Sequence, residues 1–148
     1  MFKNILVPID GGELSDAAVK RACSFAREAG ARLTFYHAKP GYYPAYVGGE
    51  LVLADTVAEQ AALSARDRRA EALLRVAARV AADADVACET LADESDSPYL
   101  GIVAAAEAGG CDLIFMASHG RRGASALLLG SETQKVLTHC KIPVLVYR

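Results

Sequence analysis

The chain has no run of about 18 apolar residues, no Cys-x-x-Cys pair, no Walker A sequence and no large surplus of either charge. The first absence argues against a membrane-spanning helix. The second removes both zinc-ligand spacing and a redox motif. Cys23, Cys88, Cys111 and Cys140 are widely separated, and each lies in an apolar or helical context. They read as small buried hydrophobes in a reducing compartment. A net charge of −2 offers no general attraction to nucleic acid or to an anionic membrane. Any bound anion must therefore be held by local geometry. The opening Met1-Phe2-Lys3-Asn4 runs into an apolar segment without a signal-peptide layout, so the cytoplasm is the expected compartment.

What is present is the material of one domain, residues 1–148. The composition is 53% hydrophobic and 23% charged, which excludes disorder. A chain of this length buries roughly two-thirds of its unfolded surface, enough to fold without a disulfide or metal.

Two kinds of segment alternate. Apolar runs bounded by turn residues predict strands at Ile5–Ile9, Leu33–Ala38, Val86–Leu91, Leu113–Ala117 and Val144–Tyr147. Between them lie helical stripes. Ala18, Ala22, Phe25, Ala26 and Ala29 form one, with Ser15 as the expected N-cap and Gly30 as the stop. A long helix carries Ala70, Leu73, Leu74, Ala77, Val80 and Ala81 inward, with Arg69, Arg75 and Arg79 outward. Pro98 opens a third helix with Ile102, Val103 and Ala106, closed at Gly109-Gly110. Thr133, Val136, Leu137 and Cys140 mark the last.

This alternation predicts an α/β fold: a five-stranded parallel sheet with helices on both faces. The first and fourth runs suit central strands. The mixed third run and the fifth, which begins after Pro143, suit edges. Right-handed crossovers give the order 3-2-1-4-5, a Rossmann-like arrangement. The winding reverses between strands 1 and 4, and ligands in such sheets bind in that crevice, beyond the carboxyl ends of the strands. Two segments fall outside the alternation: a loop, Lys39–Glu50, carrying Tyr42, Tyr43 and Tyr46, and the stretch Gly120–Leu129.

The fourth strand runs into Ala117-Ser118-His119-Gly120, and after nine residues Gly130-Ser131 opens the last helix. Glycine lets backbone N–H groups approach an anion closely, and a helix start supplies unpaired N–H groups with a favourable dipole. The segment Ala117–Ser131 thus has the makings of a phosphate site. The plainer alternative is a turn glycine and an ordinary N-cap serine. Asp10, at the end of the first strand, faces the same crevice. It either accepts hydrogen bonds from a ribose or amino group or simply starts the turn Asp10-Gly11-Gly12.

Ile5-Leu6-Val7-Pro8-Ile9-Asp10, His37-Ala38, Met116-Ala117-Ser118-His119-Gly120, Leu129-Gly130-Ser131 and Pro143-Val144-Leu145-Val146 together resemble the universal stress protein family. The resemblance covers essentially the whole chain in order. The ATP-binding branch of that family carries a glycine, two residues, a glycine, nine residues, then a glycine with Ser or Thr. Gly120, Gly130 and Ser131 match, and Ala117 stands at the first glycine position.

The resemblance implies the adenine nucleotide alpha hydrolase-like form of the fold, ATP as ligand and Mg²⁺ as its companion. Pro8, Ile9 and Asp10 would border the adenosine, and Ala38 would meet the adenine through its backbone. Met116 belongs to the same implied set. Ala117, Gly120, Gly130 and Ser131 would hold phosphates, with the Glu132 N–H nearby. The family's usual dimer would form through the last strand, Val144–Tyr147.

Arg121 and Arg122 are either contacts to a terminal phosphate or exposed loop cations. The loop tyrosines either cover a nucleotide or pack on the domain. His37 and His139 read as structural, and Asp93, Glu94 and Asp96 as a solvated turn. Ser118 and His119 are adjacent, so they are not expected to face each other as nucleophile and base in a regular strand. Without a lysine clamp or positioned base, any ATP hydrolysis should be slow.

The leading reading is a nucleotide-binding stress or regulatory protein. A non-nucleotide-binding dimeric platform of the same fold is the alternative. An enzyme such as a phosphatase or nucleotidyl transferase is disfavoured by the missing catalytic constellation. A phosphoacceptor receiver domain would need a Lys after strand 5, and a flavodoxin phosphate loop after strand 1 would meet Glu13 and Asp16.

Overall fold

The computed structural model describes residues 1–43, 46–47, 50–51, 56–120 and 129–148. Its elements run β1(Asn4–Pro8), α1(Glu13–Ala29), β2(Arg32–Lys39), β3(Tyr46–Val47), β4(Glu50–Leu51), α2(Thr56–Asp83), β5(Cys88–Glu94), α3(Pro98–Ala108), β6(Leu113–Ala117), α4(Ser131–His139) and β7(Val144–Tyr147). The main sheet has the order β5-β2-β1-β6-β7, and every pairing in it is parallel. This is the expected 3-2-1-4-5 order.

Strand alternation divides the core in two. Ile5, Val7, Leu33, Phe35, Leu113 and Phe115 face one side, where α1 and α2 cover them with Ala18, Ala22, Ala26, Leu74 and Ala77. Leu6, Tyr36, Ile114 and Met116 face the other, against Ile102, Ala105 and Ala106 of α3 and Val136 of α4. The alanines of α1 recur every four residues, which lets the helix lie close to the strands.

Several boundaries differ from expectation. The third strand of the sheet begins at Cys88 and continues to Glu94, not Val86 to Leu91. Its pairing with β2 extends to Lys39↔Glu94, and as an edge strand it needs no apolar run to do so. The expected loop Lys39–Glu50 begins with the last residue of β2 and includes a small antiparallel pair, β3 with β4. The N-cap of α1 is Gly12, and Ser15 lies inside the first turn. There its Oγ accepts the Asp10 N–H at 3.3 Å. The N-cap of α4 is Gly130, so Ser131 is the first helical residue.

All four cysteines are free; Cys23 and Cys111 are buried, while Cys88 and Cys140 are half-buried. Among the described residues no helix is long and apolar enough to cross a membrane.

Candidate functional site

The connections from β1 and β6 leave the sheet on opposite faces, one to α1 and the other towards α4. The crevice this opens holds a cavity of about 580 Å³, within the size range of small-molecule sites. Pro8, Ile9, Asp10, Ala38, Met116, Ala117, Gly120, Gly130, Ser131 and Glu132 all line it. Arg121 and Arg122 lie outside the described residues. Ser15, Tyr36, His37, Asp96, Pro98, Ile102, His119 and Thr133 also line it, although sequence patterning did not single them out as ligand contacts. Asp96 follows β5, whose end at Glu94 lies beyond the apolar run Val86–Leu91, so the rule that identified Asp10 did not reach it. Ile102 and Thr133 depend on how α3 and α4 pack.

Backbone contacts fix the phosphate-site candidates. Ser118 N–H donates to Tyr147 O at 2.7 Å, and Gly130 N–H donates to Ser118 O at 2.7 Å. Thr133 Oγ1 donates to Ala117 O at 3.1 Å. The first bond continues the β6–β7 pairing, and the other two draw the start of α4 onto the end of β6. The approach leaves little room: a Cβ on Gly130 would stand 3.0 Å from His119 Cα and 3.2 Å from Ser118 O. Asp10 spans the other side. Its Oδ1 accepts the Gly12 N–H at 2.9 Å, an Asx turn, while Oδ2 lies 2.6 Å from where a Cβ on Gly120 would be. Asp10 is therefore both a turn residue and a wall of the crevice.

The two helix starts at the cavity differ. In α4, among the described residues, no acceptor bonds the N–H of Ser131, Glu132 or Thr133. In α3, Pro98 has no N–H, the Tyr99 N–H donates to Glu132 Oε2 at 2.8 Å, and those of Leu100 and Gly101 donate to Ser97 O. Of these two, α4 carries the open donors, where an anion would be favoured; the start of α1, whose Ser15 also lines the cavity, carries Glu13 and Asp16 in its first turn.

Three carboxylates, of Asp10, Asp96 and Glu132, line the cavity, and no Lys or Arg appears among its described lining residues. Asp93, Glu94 and Asp96 are exposed, as expected, and Asp96 lies in a bend, but the first two belong to a strand and all three have partners. Asp93 and Glu94 end β5; Asp93 accepts the Tyr36 phenol and Glu94 pairs with Arg66 at 3.0 Å. Asp96 accepts the Gly41 N–H at 2.9 Å and the Tyr43 hydroxyl. These bonds, Tyr43 first, hold the Asp96 carboxyl below the usual carboxylate range. Arg66 also donates to Pro40 O at 2.9 Å, so the chain leaving β2 is clasped at the cavity mouth. Burial first, then the bond to Asp93, push the Tyr36 phenol well above the ordinary tyrosine range.

His37, expected to be structural, lines the cavity; its Nδ1 lies 2.8 Å from Ile9 O, so Nδ1 carries the proton. His139 packs against Tyr99 with ring centroids 5.2 Å apart. Ser118 Oγ and His119 Nδ1 do meet, at 3.2 Å, because both residues lie beyond the end of β6 where strand geometry no longer separates them. Ser118 is nevertheless only 5% exposed and is not part of the cavity lining, so its hydroxyl has no access to a substrate there. Among the described residues no group of three or more His, Cys, Asp or Glu is placed to hold a metal.

The model of the Universal stress protein family matches residues 1–148. A universal stress protein encoded in the QAH/OAS sulfhydrylase 3' region of Thermus aquaticus is 33% identical over 148 residues, covering 100% of both chains. The solved structure of hypothetical protein MJ0577 superposes with a TM-score of 0.81 at 25% identity, covering 99% of this chain and 95% of that one. A universal stress protein solved in complex with cAMP gives a TM-score of 0.72 at 22% identity, over 99% and 97% of the two chains. That last likeness is one of fold.

Proposed function

As the chain belongs to the universal stress protein family, we propose that it is an ATP-binding, cytoplasmic regulatory member of it. The observation that carries this reading is the open first turn of α4, held against the end of β6 by the Gly130 N–H bond to Ser118 O at 2.7 Å. A phosphate seated there would accept the N–H groups of Ser131, Glu132 and Thr133 and the Ser131 hydroxyl. Asp10 would receive ribose hydroxyls, and Ala38 would meet the adenine edge through its backbone. The cAMP bound by the similar structure supports an adenine nucleotide as the ligand class.

Mg²⁺ fits this donor set. The cavity offers hard carboxylate oxygens, and Mg²⁺ commonly takes one or two carboxylates together with substrate phosphates and water. Asp10 is the residue that would share it with the phosphates, where the ion would neutralise phosphate charge; both oxygens of Glu132 are already engaged, by the Tyr99 N–H and by Lys135. No described group is arranged as a general base with a substrate-facing nucleophile, so hydrolysis is at most slow. The outer edge of β7 has no partner strand within the described sheet, and we assign the homodimer contact to it.

The competing reading, a dimeric platform without nucleotide, is favoured by Ala117 and by the carboxylates lining the cavity. Denaturing the purified protein and chromatographing what is released separates the two. Adenine nucleotide in the supernatant is the expected result. None released, with no ATP binding by calorimetry, would leave the platform.

A further inference from the structure

The first turns of α1, α3 and α4 border the cavity, and that of α3 is already occupied by an anion belonging to the chain. Glu132 lies in the first turn of α4, yet its side chain reaches across to α3. Oε2 accepts the Tyr99 N–H at 2.8 Å, and Oε1 pairs with Lys135 Nζ at 2.9 Å. With Pro98 lacking an N–H and Ser97 O taking those of Leu100 and Gly101, no donor remains open in the first turn of α3. The Glu132 side chain is 35% exposed and lines the cavity, so its charge is felt by whatever enters.

We propose that Glu132 is a specificity-determining residue of this site. Its carboxylate occupies the α3 N-terminus as a built-in anion and keeps ligand phosphate off that helix; with Glu13 and Asp16 in the first turn of α1, phosphate is directed to α4. Resting on the adenine-nucleotide reading above, the inference adds that the site discriminates by ligand charge. Each additional phosphate charge meets repulsion from Glu132, offset in part by Lys135, whereas an uncharged nucleoside does not.

The test compares adenosine, AMP and ATP by calorimetry on wild-type protein and on Glu132→Gln. Glutamine retains an oxygen for the Tyr99 N–H, so the cap on α3 survives while the charge is removed. The ratio of ATP to adenosine affinity should rise by about threefold or more at low ionic strength. The gain should be smaller for AMP and should shrink as salt is added. Glu132→Ala, which also uncaps α3, should show a comparable gain and a lower melting midpoint than the Gln variant. An unchanged or lower ratio in Glu132→Gln, with wild-type ATP binding intact, overturns the inference and leaves the nucleotide reading standing. Wild-type protein that binds neither adenosine nor ATP removes both.

Discussion

The Asp10 carboxylate and Gly120 meet across the mouth of the crevice. A Cβ on Gly120 would lie 2.6 Å from Asp10 Oδ2, while Oδ1 of the same carboxylate is engaged by the Gly12 N–H at 2.9 Å. The side chain cannot swing aside without disturbing its turn, so the two strand ends are spaced for glycine. Gly120→Ala should therefore displace Asp10, lower stability by about 1 kcal/mol and weaken ATP binding several-fold. Thermal melts and calorimetry read the two effects. An unchanged affinity would mean that Asp10 does not touch the ligand.

Tyr36 and Gly101 have a similar relationship in the core. A Cβ on Gly101 would collide with the Tyr36 hydroxyl and stand 3.0 Å from Cζ, and Tyr36 is 1% exposed. Gly101→Ala should cost about 1–3 kcal/mol of folding stability. Tyr36→Phe removes the colliding oxygen, so the double variant should recover part of that loss relative to additivity. Purely additive effects in denaturant melts would place the strain elsewhere.

Stability should fall on the alkaline side through Cys23. Burial is the main cause raising its thiol from 9.0 to about 11. The folded state disfavours the thiolate, so this contribution is fully present below pH 9 and is lost as the pH rises towards 11. Tyr36, raised further in the same direction, extends the decline. Melting midpoints measured across that window should drop, and Cys23→Ala should flatten the portion between pH 9 and 11. An equally steep decline in the variant would exclude Cys23 as its source.

Protection of the segment leaving β2 should depend on the clasp over the cavity mouth. Asp96→Ala removes the acceptor for both the Gly41 N–H and the Tyr43 hydroxyl. Proteolysis near residues 41–43 should accelerate while the melting midpoint changes little, since the lost bonds are exposed. An unchanged cleavage rate would show that Arg66 alone holds the segment.

Legibility followed burial. The β6 and β7 bounds were readable from sequence because both are short apolar runs bounded by turns, and the sheet order followed from the alternation of strands and helices. The edge strand β5 was harder to place because Asp93 and Glu94 join it through backbone pairing with Ala38 and Lys39, which leaves no hydrophobic trace. The β3–β4 pair was missed even though Gly48-Gly49 between Tyr46-Val47 and Glu50-Leu51 is a hairpin-turn composition. At the site, backbone geometry was legible through Gly120 and Gly130. The reach of Glu132 to Tyr99 was not, because a bond between residues on separate helices exists only once α3 and α4 pack.

Placement of phosphate at the start of α4 is put to the test by Gly130→Val. The added Cβ would stand 3.0 Å from His119 Cα and 3.2 Å from Ser118 O, backbone and near-backbone atoms that cannot move independently. The helix start must then shift away from the end of β6. Titrating ATP with Mg²⁺ into nucleotide-free wild-type and Gly130→Val protein, each checked by size-exclusion chromatography, should give binding to the first and none to the second, with the same elution volume for both. Equal affinity for the two would place the phosphates elsewhere and contradict the assignment.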